Sequence, residues 1–337
     1  MASVSSTLIR RGTEMIPQWL GFSIAVITGL AFGLAILWVD YTCTQVIATL
    51  AAVEVSNQHT YLRLQRDSED PTNPDYYDLN YDDSEGKPIT SGLRSAIKHL
   101  RARGGLWSSF RGFRLYLAFE GFSTVMGFLA PAISLLPSVS RSFISSFLSH
   151  FVASMLCATW HMAWVHLVIA EKSPRSPYRR MLGLQHWPRI APAAALYNML
   201  TGATFSLRIA AVWIVASTVT NPARDYKQLL GALGITIITA TFFLLVCVPA
   251  RAVFIRVSAS MLPEEDSPIV PFDRTFGGKV KAETVGGDRK LGLVDAWTTF
   301  EWAARIRFLK VILKALAIEC ALGVVGILLV MGELVLL

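Results

Sequence analysis

The chain of 337 residues is rich in apolar side chains: 53% of its residues are hydrophobic and 16% are charged, against roughly 25% charged residues in a soluble globular protein. This composition excludes an ordinary soluble domain and indicates that much of the surface faces lipid. The formal net charge of +7 is modest, and its basic residues flank apolar stretches, as interfacial anchors do. Nucleic-acid binding is therefore not expected.

Six stretches are long and apolar enough to cross a bilayer, whose hydrocarbon core takes about 20 residues of helix. In chain order the predicted spans are 15–39, 115–140, 142–170, 190–223, 228–250 and 315–337. Three of these spans hold no Asp, Glu, Lys or Arg, and the charges in the others are Glu120, Arg208, Glu319 and Glu333. The predicted fold class is an all-α membrane protein with six transmembrane helices.

The loops between the predicted spans alternate between long and short, so the spans form three hairpins with a long loop inside each. A repeat of roughly a hundred residues that cannot bury itself alone predicts three modules packed around an axis. We expect a polar tail at 1–14 and pseudo-repeats at 15–140, 141–223 and 224–337. The long loops then share one membrane face, which is basic: 171–190 holds five basic residues and one acid.

Two of the long loops end in stretches that predict helices lying along the membrane surface. In 91–103, apolar residues recur at helical spacing opposite a face of arginine and lysine, which is the pattern of an interfacial helix. The stretch 295–307 repeats this pattern with aromatic residues. Each predicted surface helix leads into an even-numbered span.

This arrangement resembles the mitochondrial carrier family, in which three hairpins each carry a surface helix between two spans. The family motif that enters each even-numbered span is [D/E]-G-x-x-x-x-[W/Y/F]-[K/R]-G. The first repeat matches it at Gly105, Phe110, Arg111 and Gly112, with Gly104 in place of the acid. In the second repeat only Tyr197 remains, and the third repeat has no clear counterpart.

The family motif at the end of each odd-numbered span, P-x-[D/E]-x-x-[K/R], is more eroded. Its proline, acidic and basic positions are Trp38, Asp40 and Cys43 in the first repeat, His161, Ala163 and His166 in the second, and Pro249, Arg251 and Phe254 in the third. The resemblance implies that the acids and bases of working carriers pair between neighbouring spans and close the cavity. Three such pairs cannot form here, and a pair of Asp40 with Arg251 or with protonated His166 would contribute about 0–1 kcal/mol.

Helix packing, by contrast, is retained in the sequence. Small residues recur at every fourth position in two odd-numbered spans, at Ala25, Gly29 and Gly33 and at Ser145, Ser149 and Ala153. This spacing lets membrane helices approach closely. The chain therefore keeps the packing pattern of the fold and loses its gate residues.

Each even-numbered span carries a charge at membrane depth, which is costly unless it faces protein or water. We predict that Glu120, Arg208 and Glu319 line a central cavity with Ser123, Thr124, Asn198 and Thr201. An alternative interpretation accounts equally well for Glu120 and Glu319, because both lie near helix ends and could reach the interface. Arg208 lies deeper and is better explained by a cavity.

Other candidate sites are weaker. Cys157 and His161 lie one helical turn apart but lack further ligands at metal-binding spacing, so we expect neither a metal nor another cofactor. The acidic loop 66–87 lacks the glycine and glutamate positions of a calcium loop. Loop 263–290 holds an apolar segment that we expect to pack on the protein's own surface. Either loop is a candidate surface for protein partners, next to the lipid bilayer itself.

No catalytic triad, carboxylate pair or phosphate-binding loop is apparent, so an enzyme is not expected. The eroded gate motifs favour a carrier-fold scaffold, adaptor or insertion factor that does not transport. The alternative is a solute transporter with an atypical substrate, favoured by the predicted cavity around Arg208. Location in a mitochondrial membrane, inner or outer, is implied by the resemblance alone.

Overall fold

The structure, a computed structural model, describes residues 18–56, 88–133, 139–172, 186–220, 226–280 and 290–335. The predicted tail 1–14, the acidic loop 66–87 and the boundary at 223/224 lie outside these residues. The described part is mostly helical. The prediction of a mostly helical protein is therefore confirmed.

The helices follow the predicted spans in chain order. They are α1 (Gln18–Val39), continued by a π-helical segment (Asp40–Ile47) and α2 (Ala48–Val53); α3 (Leu93–Gly104); α4 (Phe113–Ile133); α5 (Val139–Leu156) and α6 (Ala158–Ile169); α7 (Trp187–Thr220); α8 (Tyr226–Phe242), continued by a π-helical segment (Phe243–Cys247) and α9 (Val248–Ser260); α10 (Leu293–Thr298); and α11 (Trp302–Val335). Two 3₁₀ turns, Ile89–Ser91 and Leu106–Phe110, flank α3.

Three helical stretches are long and apolar enough to cross a membrane by themselves: Gly21–Val53, Leu230–Ser260 and Trp302–Leu334. A fourth crossing is counted if α5 and α6, which meet at a bend of 59°, form one broken span. The described residues of α4 and α7 fall outside this set. The protein is therefore a helical membrane protein in which three or four crossings are clear from length and composition.

Three predicted span boundaries were wrong, because charged residues do not end a helix whose backbone bonds are satisfied internally. The first span was predicted to end at residue 39 but continues through Asp40 to Val53. The fifth was predicted to end at residue 250 but continues through Arg251 to Ser260. The sixth span was predicted to begin at residue 315, but its helix, α11, begins 13 residues earlier, at Trp302.

The two predicted surface helices had different outcomes. The stretch 91–103 corresponds to α3, in which Ala96 and Leu100 are buried while Arg94 and Lys98 are exposed. The prediction of a single helix over 295–307 was wrong, because α10 ends at Thr298 and α11 begins at Trp302. The Arg305 side chain donates to the carbonyls of Phe300 and Trp297 at the break, so side-chain bonds replace the helical pattern there.

The loop segments assemble into a layer over one end of the long helices, here called the loop layer (54–56, 88–104, 170–172, 263–280 and 290–300). A short antiparallel pair joins β1 (Ala170–Lys172) to β2 (Ser267–Pro268). Ile269 N–H donates to Ile169 O at 2.9 Å, and Val55 N–H donates to Pro271 O at 3.1 Å. Ile269, Val270, Phe272 and Phe276 are buried, which confirms the expectation that this segment packs on the protein itself.

Close helix packing relies on small residues, although only part of the predicted set is used. A Cβ at Gly326 of α11 would lie 2.9 Å from the Phe32 ring of α1, whereas nothing lies within 4 Å of one at Gly33. Ser149 of α5 donates to Met126 O of α4 at 3.0 Å, and Ala153 is buried. The first, third and fifth predicted spans end near the loop layer in α2, α6 and α9. These three helices contact one another there.

Candidate functional site: a polar cavity above an aromatic floor

A cavity of about 390 Å³ lies among the long helices on the membrane side of the loop layer. Its wall includes residues from α4, α5, α6, α7, α8, α9 and α11 and from the π-helical segments Asp40–Ile47 and Phe243–Cys247. Volumes of roughly 300–1,000 Å³ are usual for small-molecule sites. The cavity is therefore large enough to hold a small ligand.

Six of the seven residues predicted for a polar cavity line this one, and Thr124 does not. Asn198, Thr201 and Arg208 lie along α7, Glu120 and Ser123 are on α4 and Glu319 is on α11. The alternative, in which Glu120 and Glu319 reach the membrane interface, stays a prediction. What these residues do remains a prediction.

Five charged residues, the acids Asp40, Glu120 and Glu319 and the arginines Arg208 and Arg251, line this cavity. Arg251 donates to Gln45 Oε1 at 2.6 Å, and the Asp40 carboxylate interacts with Gln45 and, electrostatically, with Arg251. Within the described residues, neither Asp40 nor Arg251 is in an ion pair closer than 4 Å. A glutamine thus joins the two charges that the gate positions retain.

The nine gate positions are spread over three environments. Asp40, His161 and Arg251 line the cavity; Cys43, Ala163, His166 and Phe254 are buried; Trp38 is 53% exposed and Pro249 is partly exposed. His166 Nε2 lies 2.8 Å from Ser258 O, which joins α6 to α9. The expected erosion of the ion pairs is thus accompanied by other contacts between the same helices.

Aromatic rings close the cavity toward the loop layer, and we call this cluster the aromatic floor (Phe119, His161, Trp164, Tyr197 and Phe254). The His161 ring centroid lies 4.3 Å from that of Phe254 and 4.5 Å from that of Phe119. The Tyr197 and Phe254 rings are stacked at 5.5 Å. Ring contacts of this kind contribute about 0.5–1.5 kcal/mol beyond burial.

The matched motif of the first repeat joins α4 to the loop layer. Gly105 and Gly112 both have φ +70°, a conformation that favours glycine. Arg111 donates to the carbonyls of Ala170 and Glu171, while the Tyr41 hydroxyl donates to Arg111 O. Phe110 stacks on Tyr41 with ring centroids 6.1 Å apart. The motif residues thus have structural roles here.

A buried carboxylate anchors the end of the first long helix. Glu54 accepts hydrogen bonds from Ile89 N–H at 2.6 Å and from Thr90 N–H at 3.0 Å, and Arg307 Nε lies 3.9 Å from it. Burial raises the pKa of the Glu54 carboxyl from its ordinary value, and Arg307 and the bonds from Thr90 and Ile89 act in the opposite direction. The contact ties the end of α2, the 3₁₀ turn before α3, and α11 together.

A second pocket, of about 310 Å³, lies on the loop-layer side beside Arg256. Arg256 donates to the carbonyls of Ala296 and Ala52 and to Thr299 Oγ1. Its guanidinium also lies 4.8 Å from the Phe276 ring centroid and 4.9 Å from that of Phe300. These contacts occupy the side chain and fix the loop layer on α9.

Sequence reasoning missed Gln45, Glu54, Arg256 and Arg307. The only local signal is that charged or amide side chains stand within or directly after apolar helices, which marks them as facing protein. Their partners are up to 253 residues away in the chain, and no pattern in the sequence pairs them.

No metal cluster is formed by the described residues. They contain no group of three or more His, Cys, Asp or Glu side chains arranged to hold an ion. Cys43, Cys157, Cys247 and Cys320 are free thiols. Cys157 and His161 therefore stay without a metal interpretation.

A scan of protein-family models finds no match for this chain, and a search of curated proteins finds no significantly similar sequence.

Proposed function

We propose that this protein is a carrier-fold scaffold, adaptor or insertion factor of a mitochondrial membrane that does not cycle as a solute transporter. The single observation that carries the proposal is the aromatic floor, in which Phe254 occupies a position where the resemblance implies a base and contacts the ring of His161. Ion pairs can exchange for water and for one another during a cycle. Buried rings have no equivalent exchange partner.

Opening the cavity at the loop layer would expose buried apolar side chains. Phe254 and Trp164 are 1% exposed, and Ala163 and Ile255 beside them are fully buried. Exposing a large apolar side chain costs about 1.5–3 kcal/mol, so separating the three helix ends would cost several times this amount. A transported solute would have to supply that difference through contacts made only in the open state.

The loop layer adds to this cost. Arg111 bonds β1, Arg256 bonds α10, and the segment 263–280 packs across the helix ends. These contacts would have to break together with the floor. A permanently closed end suits a protein that presents a fixed surface.

The proposal includes six spans arranged as three pseudo-repeated hairpins. It is supported by the motif residues Gly105 to Gly112, by the convergence of α2, α6 and α9, and by the order of the long helices along the chain. Mitochondrial location follows from the carrier resemblance, and the choice between inner and outer membrane is left open.

Partners are proposed to dock through the acidic loop 66–87 and the polar side of loop 263–290. The apolar residues of the second loop are already buried against the protein, so a partner would meet its charged and polar residues. The acidic composition of the first loop favours a basic partner surface.

Affinity purification from native membranes in mild detergent tests the scaffold proposal. The full chain is compared with a variant in which the acids of 66–87 are changed to their amides, which keeps length and removes charge. We expect a stoichiometric protein partner that is lost from the variant. If the full chain and the variant both purify without a partner protein, the proposal is wrong.

A solute transporter is the second candidate, favoured by the cavity with Arg208 in its wall. Exchange of labelled metabolites into liposomes containing the purified chain tests it, with Arg208→Ala as the cavity variant. Arg114→Ala, at an exposed position outside the cavity lining, is the matched control. Saturable exchange that Arg208→Ala abolishes and Arg114→Ala retains would replace the scaffold proposal.

A further inference from the structure

The long helices form two groups within the apolar part of the fold. α1 packs along α11, where Thr28 donates to Glu333 Oε1 at 2.9 Å, and α4, α5, α7 and α8 pack in sequence. Contact between the groups concentrates near the loop layer, where α2 meets α6 and α9. Within the described residues, α8 and α11 make at most slight backbone contact, which leaves a seam between them.

The cavity reaches this seam. Ala240, Phe243 and Leu244 line it from α8 and the π-helical segment that follows, and Leu316 and Glu319 line it from α11. Four of these five residues are apolar, and the adjacent Leu245 is 71% exposed. On the opposite side, between the π-helical segment Asp40–Ile47 and α4, the lining includes the charged Asp40 and Glu120. An acyl chain would therefore pass more favourably between α8 and α11 than on that side.

The interior of the cavity carries both signs of charge. The Arg208 guanidinium lies 5.8 Å from the Phe243 ring centroid, and it forms no hydrogen bond or ion pair with another described residue. Glu120 is also exposed in the cavity wall. A ligand with a single charge would be attracted by one group and repelled by another. A ligand with an anionic and a cationic end would match both.

We propose that the cavity binds the headgroup of an aminophospholipid that enters sideways from the bilayer through the seam between α8 and α11. Arg208 takes the phosphate, because a guanidinium pairs with phosphate oxygens by two parallel hydrogen bonds. Glu120 takes the ammonium group. The acyl chains remain in the seam and in the surrounding lipid, so the closed floor does not obstruct binding.

The test uses the purified full chain in phosphatidylcholine liposomes with a phosphatidylethanolamine probe that carries a photoreactive group in its acyl chain. We expect labelling of α8 and α11. Arg208→Gln and Glu120→Gln should each lower labelling about ten-fold, because each removes a charge-assisted hydrogen bond. Ala240→Trp should block the seam and lower labelling similarly.

Ile238→Trp is the matched control, because Ile238 is 64% exposed on the same helix and does not line the cavity. Equal labelling of the Ala240→Trp and Ile238→Trp proteins would overturn the proposal. So would unchanged labelling in Glu120→Gln, whose substitution preserves shape at an exposed position. Monodisperse elution of each variant in detergent verifies that it is folded.

Soluble phosphoethanolamine distinguishes a lipid from a free solute with the same headgroup. If it binds the Ala240→Trp protein as well as the unmodified protein and displaces the probe completely, the cavity takes its ligand from water and the lipid proposal fails. We expect weak competition, because the soluble headgroup lacks the acyl contacts in the seam. These results do not depend on whether a partner protein co-purifies.

Discussion

At the scale of single residues, Glu54 joins three parts of the chain through one buried carboxylate. It accepts hydrogen bonds from the backbone N–H groups of Ile89 and Thr90, and Arg307 lies beside it. Arg307 also donates to Glu54 O at 2.6 Å. Because Glu54 is only 2% exposed, water cannot replace its carboxylate as the acceptor.

We expect Glu54→Ala to destabilise the protein by about 3 kcal/mol or more, since it leaves buried donors and an arginine without their acceptor. Glu54→Gln retains one acceptor oxygen and should cost less. Thermal unfolding in detergent gives the order of stability. Equal destabilisation by the two substitutions would show that the hydrogen bonds to Ile89 and Thr90 contribute little.

Gly112 provides a second test at a single residue, because two separate constraints act on it. Its φ is +70°, and a Cβ there would lie 2.9 Å from Trp164 Cδ1. Gly112→Ala should therefore destabilise the protein by about 1–3 kcal/mol. Gly121→Ala, in α4 with nothing within 4 Å of its Cβ, is the control and should be neutral or stabilising by up to about 1 kcal/mol. The same thermal assay would contradict this if the two alanines behaved alike.

At the scale of elements, α3 is fixed to the loop layer by polar contacts that include a histidine. His99 Nε2 lies 2.9 Å from Ile269 O, and the Arg103 guanidinium pairs with Glu171 at 2.9 Å. Burial lowers the pKa of His99 from its ordinary value of 6.5; Arg103 adds to this, whereas the bond to Ile269 and the charge of Glu171 oppose it. Neutral His99 therefore suits the docked helix.

The docking of α3 should weaken in acid. Because the folded-state pKa of His99 is lowered, the unfolded chain binds its proton more readily, so this stabilisation is present above pH 6.5 and decreases as pH falls through the folded-state value. Hydrogen–deuterium exchange, corrected for the intrinsic pH dependence, should show faster exchange in 93–104 and 267–270 at pH 5.5 than at pH 7.5. His99→Gln, which keeps an N–H donor and does not titrate, should lose this response. If hydrogen–deuterium exchange in the two proteins responds equally to pH, a titrating group other than His99 causes the response.

The sequence predicts helices correctly where a long apolar stretch determines them. The interfacial pattern of α3 and the apolar runs of the long helices give correct positions, because burial in lipid depends on composition. The same reasoning failed at Asp40 and Arg251, since a charged residue that faces a cavity looks like the end of a span. It also failed at Arg305, whose bonds to Phe300 and Trp297 separate α10 from α11.

At the scale of the whole molecule, the cavity residues were predictable and the floor was not. Charges at membrane depth must face protein or water, which identified Glu120, Arg208 and Glu319 in advance. The aromatic floor requires Phe119, His161 and Phe254 from three different helices to meet. Aromatic residues are common in apolar spans, so nothing in their sequence positions marks them as a cluster.

We infer that the loop-layer end of the cavity stays closed, with the floor and the loop layer acting as one unit. Opening it would separate α3 from the segment 263–280. Spin labels at Lys98 and Lys279, both exposed, report this separation in a protein whose four native cysteines are replaced. Phe254→Ala, which thins the floor, serves as the variant in which opening becomes easier.

The most direct measurement is the distribution of distances between these two labels, recorded by pulsed electron paramagnetic resonance in liposomes with and without a mixture of metabolites. We expect one narrow distance that is the same under both conditions, and a broader distribution in Phe254→Ala. A second, longer distance populated in the protein with Phe254 intact would show that this end opens and that the floor does not hold it closed.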